Sequence, residues 1–174
     1  VYTTTLSVPK PEVSIITSKG SFTLALDPAT APITVKNFLT YVKSGFYSNT
    51  LFHRVIPGFV AQAGGYTTGM VRKPGQLEPI ELESNKGLSN SRATVAMART
   101  NVFNSATSEF YVNLVDNTFL DYKNAANPGY AVFGTVVQGM DVVDAIAAEP
   151  TGVFNGSPDV PLTDITISIA LQSK

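Results

Sequence analysis

From Val13 onward hydrophobic and polar positions alternate, at first with a period of two. Val13 and Ile15 form one short run, and Phe22, Leu24 and Leu26 form a second, with Thr23 and Ala25 on the other face. Ser18-Lys19-Gly20 between them carries turn chemistry, so the pair predicts a β-hairpin, ended by Asp27-Pro28. The period then lengthens. Val35, Phe38, Leu39 and Val42 recur at helical spacing behind Thr30-Ala31-Pro32. A capping hydroxyl and a proline in the first turn predict the helix start there, and Gly45 predicts its stop. A second helix is predicted over 139–148 from the stripe Met140, Val143, Ile146 and Ala147, with Pro150 blocking continuation.

Short β-type runs at 51–56, 60–62, 94–98, 110–114 and 131–137 fill most of the remainder, bounded by Gly, Pro or Asn. In the last run Ile165, Ile167, Ile169 and Leu171 alternate with Thr166, Ser168 and Ala170. Many short strands with two helices predict a mainly β domain, a closed barrel or sandwich capped by helices. The Thr- and Pro-rich start reads as an extended arm over 1–12, ahead of a single domain over 13–174. Between Tyr66 and Ala93 lies a long Gly-, Pro- and Asn-rich stretch, and loops of that length inside a compact domain are usually functional.

Composition narrows the chemistry. At 44% hydrophobic and net charge −1, the 174 residues are suited to a real core and unlike a disordered chain. The near-neutral balance argues against a nucleic-acid partner, whose usual footprint is basic. No apolar run approaches the roughly 18 residues of a membrane span. With no Cys and one His, disulfides, thiolate catalysis and sites needing two imidazoles are excluded. Gly64-Gly65-Tyr66-Thr67-Thr68-Gly69 lacks the lysine of a phosphate-binding loop. His53 has no nucleophile or orienting acid beside it, and strand alternation predicts that it points away from Arg54, as a structural residue. Asn155-Gly156-Ser157 fits a glycosylation sequon, a motif short enough to recur by chance.

The segment FHRVIPGFVAQAGG at 52–65 places an arginine mid-strand in an apolar run, with Gln62 and two large apolar side chains just downstream. It strongly resembles the signature of the cyclophilin family of peptidyl-prolyl cis-trans isomerases. Met97-Ala98-Arg99-Thr100, followed by Ser105-Ala106-Thr107-Ser108-Glu109-Phe110-Tyr111, resembles the family's second signature in bacterial form. Phe119-Leu120-Asp121 and Gly129-Tyr130-Ala131-Val132-Phe133-Gly134 resemble the third. The resemblance runs in order from about Val13 to Leu171. It implies a closed eight-stranded antiparallel β-barrel capped by two α-helices, with ligands in a groove on the outer surface.

The same resemblance implies the site. Arg54 is the implied catalytic arginine, and Phe59, Val60, Phe119 and Leu120 line a proline pocket with Tyr111 and Tyr130 at further wall positions. Gln62 steadies Arg54 and touches the substrate backbone, while Ala98 and the backbone of Arg99 bind the peptide beside the X-Pro bond. Three positions depart from the commonest family pattern. Glu109 stands where Gln is usual and is expected, if it faces the groove, to pair with Arg54. Tyr111 replaces a Phe, and its hydroxyl is expected to reach a polar atom or water. Ala63 replaces a Gly. Phe119 and Tyr130 stand where many eukaryotic members carry Trp and His, which implies weak cyclosporin binding.

These residue types suit the implied reaction. Resonance opposes peptide-bond rotation by roughly 18–20 kcal/mol, so uncatalysed X-Pro exchange takes tens to hundreds of seconds. No covalent bond breaks, so neither a metal nor a cofactor is expected. As the amide twists, its nitrogen gains a lone pair to which a rigid, always-charged guanidinium can donate. The expected partners are proline-containing peptides and unfolded proteins, acted on by a monomer. The alternative is a binding module or holdase that captures X-Pro segments with weak turnover. The bacterial-type motifs, the start at Val1 rather than Met, the Thr/Pro arm and the lack of Cys favour a periplasmic location, with the cytoplasm as alternative.

Overall fold

The computed structural model describes residues 9–174. In chain order the elements are β1 (Glu12–Thr17), β2 (Gly20–Leu26), α1 (Pro32–Lys43), β3 (Thr50–Ile56), β4 (Val60–Ala63), β5 (Tyr66–Thr67) and β6 (Val71–Arg72). Then come β7 (Thr94–Met97), β8 (Phe110–Asn113), β9 (Val132–Gln138), α2 (Met140–Ala147), β10 (Thr151–Phe154), β11 (Ser157–Pro161) and β12 (Thr166–Gln172). Eight strands close an antiparallel barrel in the order β1-β12-β3-β4-β8-β7-β9-β2, as the family resemblance implied. Residues 1–8 of the expected arm lie outside the described residues. Glu12, assigned to that arm, already pairs with Ala25 in the first hairpin.

Inward-facing residues of the barrel strands and one face of each helix make a single apolar core. From α1, Phe38 packs on Tyr47, Phe110 and Phe133 at ring separations of 5.2, 5.4 and 5.1 Å. α2 adds Val143 and Ile146. Among the described residues no helix is long and apolar enough to cross a membrane.

Two local expectations need correction. Thr30 does not cap α1: its hydroxyl donates to Asp27 Oδ2, and the N-cap position is Ala31. The first-turn N–H groups of Ile33 and Thr34, which have no intrahelical acceptor, donate instead to the Glu83 carboxylate, at 2.7 and 3.2 Å, from the long 66–93 segment. A free end of helix takes the nearest acceptor, whatever its sequence distance. The second correction is the β10–β11 ribbon, absent from the sequence reading. Asn155 and Gly156 turn it with φ of 47° and 81°, the left-handed geometry that an Asn-Gly pair supplies.

Candidate active site

The barrel brings β3, β4, β8 and β7 side by side, and pleating sorts their side chains. Ala61 and Ala63, Phe110 and Val112, and Val95 and Met97 point into the core. The opposite faces of the same strands carry Val60, Tyr111 and Ala96, which with Val132 form a second buried cluster outside the barrel. Phe59, Ala98, Leu120 and Tyr130 pack against it. Together with Arg54, Gln62 and Arg99, six of these residues (Phe59, Val60, Ala98, Tyr111, Leu120 and Tyr130) bound an open cavity. Its volume is about 180 Å³, below the roughly 300–1,000 Å³ of a drug-sized site, so it fits a single side chain.

Backbone hydrogen bonds hold the wall in place. The Tyr130 N–H donates to Leu120 O at 2.9 Å, and Leu114 N–H and Asn117 Nδ2 both donate to Phe59 O at 2.9 Å. Beneath the cavity the Tyr111 hydroxyl donates to Asn90 Oδ1 at 2.8 Å, the polar partner expected for it. Asn113 Nδ2 donates to the same Asn90 oxygen and to Thr94 Oγ1, and Asn117 Nδ2 donates to Asn113 Oδ1. Burial pushes the Tyr111 phenol well up, so it remains a neutral donor. Asn90 in turn donates through its backbone N–H and Nδ2 to Asp121 Oδ1. Burial pushes the Asp121 carboxyl up, but the bonds from Ser89 and Asn90 outweigh it and hold the group below its ordinary range.

Two guanidinium groups border the cavity, and their commitments differ. Arg99 spends Nε and Nη2 on Gly129 O at 2.9 and 2.7 Å and Nη1 on Thr100 O at 2.8 Å, lying 4.6 Å over the Tyr130 ring. It is a strut. Among the described residues Arg54 makes one side-chain bond, from Nη1 to Gln62 Oε1 at 3.3 Å, which leaves donors to offer a ligand.

Ten of the sequence-predicted site residues, Arg54, Phe59, Val60, Gln62, Ala98, Arg99, Tyr111, Leu120 and Tyr130 with Phe119 at their edge, are thus in one place. Phe119 does not line the cavity. It is 59% exposed and stacks on the outside of Phe59, with ring centroids 5.8 Å apart. It shares the 3-10 turn Thr118–Leu120 with Leu120, and three residues per turn send neighbouring side chains about 120° apart. Glu109 also lies outside the cavity and does not pair with Arg54. Its carboxylate accepts from His53 Nε2 at 3.0 Å, Gln62 Nε2 at 3.2 Å and Arg72 Nη1 at 3.4 Å.

His53 also departs from expectation. Phe52 and Val55 are both core residues, so His53 and Arg54 between them both turn outward. The β3–β4 register shifts at this point, a bulge that breaks the alternation from which opposite faces were expected. Asn90, in a loop, and Arg72, in the two-residue strand β6, were missed altogether, since neither segment carries a periodic signal. Asn113 was legible: an Asn inside an apolar strand has to find buried partners.

Comparison with known proteins decides the family. A family model described as "Cyclophilin type peptidyl-prolyl cis-trans isomerase/CLD" matches residues 12–170. The chain belongs to the cyclophilin family. It is 49% identical over 160 residues to peptidyl-prolyl cis-trans isomerase cyp18 of Streptomyces antibioticus, covering 91% of this chain and 96% of that protein. It is 48% identical over 164 residues to peptidyl-prolyl cis-trans isomerase B of Escherichia coli, covering 93% and 99%. Among solved structures, a cyclophilin type isomerase of Cryptosporidium parvum superposes with a TM-score of 0.77 at 23% identity, over 95% of this chain and 98% of that one. A second structure of that cyclophilin, obtained in the presence of the dipeptide Ala-Pro, matches with a TM-score of 0.76 at 24% identity, over 94% and 99%.

Proposed function

We propose that this cyclophilin turns X-Pro peptide bonds of flexible or unfolded chains with Arg54 as its catalytic residue. One observation carries the assignment: of the two guanidiniums at the cavity, Arg54 alone keeps most of its donors uncommitted among the described residues. A proline ring seats against Phe59, Val60, Tyr111 and Leu120, while its backbone lies past Ala98 and Gln62. The cavity size suits one such ring, and Ala-Pro, in whose presence one structure of the Cryptosporidium relative was obtained, is an X-Pro dipeptide.

Catalysis follows from what changes during rotation. In the planar ground state the prolyl nitrogen lone pair is engaged in resonance and is a poor acceptor. At the twisted state it is localised, and an Arg54 N–H donates to it. The bond is strongest in the transition state, so it accelerates turnover rather than tightening binding. The apolar wall excludes water and strengthens that contact. The cation needs no proton exchange, so Arg54 acts unchanged in each cycle. The absence of an indole N–H at Phe119 supports weak cyclosporin binding within the same reading.

The test is cis-trans exchange of a short X-Pro peptide, followed by NMR with wild type and Arg54→Ala side by side. Removing a preorganised donor is expected to lower kcat by about 10²–10³-fold. Unchanged exchange at saturating wild-type protein would overturn the isomerase reading. Equal rates for the two proteins would overturn the role of Arg54.

A further inference from the structure

Glu109 stands one residue before β8, outside the cavity, yet it is tied to Arg54 through a single intermediary. Gln62 accepts from Arg54 Nη1 at 3.3 Å through Oε1 and donates through Nε2 to Glu109 Oε1 at 3.2 Å. We propose that Glu109 is a positioning residue for Arg54, acting by fixing which end of the Gln62 amide faces the groove. The inference rests on the catalytic role assigned to Arg54 above.

The argument is one of donor and acceptor inventory. A glutamine amide has an accepting end and a donating end of nearly equal shape, and it can present either. Arg54 can only donate, and an ionised carboxylate can only accept. Between them just one orientation of Gln62 satisfies both neighbours. A glutamine at position 109 can donate or accept, so the far end of Gln62 would lose its directionality. The Arg54–Gln62 bond, long and partly exposed, would then have to set the orientation alone.

The rest of the local structure keeps the Glu109 carboxylate seated and charged. His53 Nε2 donates to Oε1 at 3.0 Å, which the β3 bulge makes possible by turning His53 to the outer face. The Tyr66 ring lies 4.6 Å from the His53 ring and holds it. Arg72 Nη1 approaches Oε2 at 3.4 Å. Gly65 supplies the space: a Cβ there would come within 2.5 Å of Glu109 Cγ and 2.6 Å of Cδ. Burial pushes the carboxyl up, but the bonds from His53 and Gln62 and the charge of Arg72 prevail and hold it below its ordinary range. At neutral pH it is therefore the acceptor the argument requires.

The test is a double-mutant cycle on X-Pro exchange, with Glu109→Gln, Gln62→Ala and the double variant, supported by side-chain ¹⁵N NMR. Glu109→Gln is nearly isosteric and is expected to lower kcat about three- to tenfold, the net worth of one hydrogen bond, with KM held within about twofold. In the Gln62→Ala background the same change is expected to have no further effect. Additive losses, or a loss confined to KM, overturn the proposal. The Gln62 side-chain amide resonances are expected to move, and their solvent exchange to quicken, in Glu109→Gln. Unmoved resonances overturn the proposal whatever the activity. A wild-type protein without turnover, whose Gln62 amide nonetheless responds to Glu109→Gln, overturns the isomerase reading and leaves the positioning geometry standing.

Discussion

The inner and outer faces of β4, β7 and β8 are buried by different means. Inward, Ala61, Ala63, Val95, Met97, Phe110 and Val112 pack into the hydrophobic core. Outward, Val60, Ala96 and Tyr111 are as well buried, but they share the face with Gln62, Asn113 and the Asn90 carbonyl. The interior gains from shape alone, since dispersion and water exclusion are indifferent to direction. The outer face must also keep specific donors and acceptors aimed. Its polar atoms are paired in sequence, Asp121 to Asn90 to Tyr111 and Asn113, then Asn113 to Asn117. A binding surface assembled on the outside of a packed barrel is thereby stiff without being part of the core.

That separation predicts a graded set of outcomes. Phe38→Ala removes the ring that Tyr47, Phe110 and Phe133 pack against, and is expected to cost about 3–5 kcal/mol in urea unfolding. The folded fraction is expected to keep wild-type turnover per molecule. Turnover lost in molecules that remain folded would show that core and groove are one unit.

Asn90→Ala is expected to cost less, about 1–3 kcal/mol, because it strands the Tyr111 hydroxyl and one Asn113 donor in a buried place. Here stability and KM are expected to worsen together, since the cavity floor loosens. The acid limb adds a check. Asp121 is held below its ordinary range when folded, so its contribution is present above the unfolded value and lost as pH falls through the folded one. Removing the Asn90 Nδ2 donor raises the folded value, and acid unfolding of the variant is expected to begin at higher pH than in wild type.

Tyr111→Phe is the mildest change. It deletes the hydroxyl while Asn90 Oδ1 keeps Asn113 as a donor, so about 1 kcal/mol of stability is expected to go. X-Pro exchange is expected to change less than about tenfold, equivalent to 1.4 kcal/mol. A larger loss of turnover would mean that the phenol shapes the cavity directly.

Much of this was legible in sequence order. The hairpin around Ser18-Lys19, both helices, and the barrel strands other than their exact ends followed from periodicity, because pleat and helical repeat are local properties. The site was legible through the motifs that carry Arg54, Gln62, Ala98, Tyr111 and Leu120. What escaped depended on local exceptions or distant partners. Phe119 was misplaced by one step of a 3-10 turn, and His53 by a bulge. The Asn155-Gly156 turn was visible but weighed only as a modification motif.

The composition and patterning of this chain are sufficient for a small mainly β domain with an arginine beside apolar wall residues, since those features depend on residue type and spacing. Which arginine is available for chemistry is a different kind of fact. Arg54 and Arg99 are equivalent as residue types, and they part company because Gly129 O and Thr100 O happen to surround one of them and not the other. Glu109 likewise changes from an expected ion-pair partner of Arg54 to a partner of His53, Gln62 and Arg72 once the bulge and Gly65 are in place. Hydrogen-bond commitments are made between groups far apart in the chain, and they exist only after the barrel has closed.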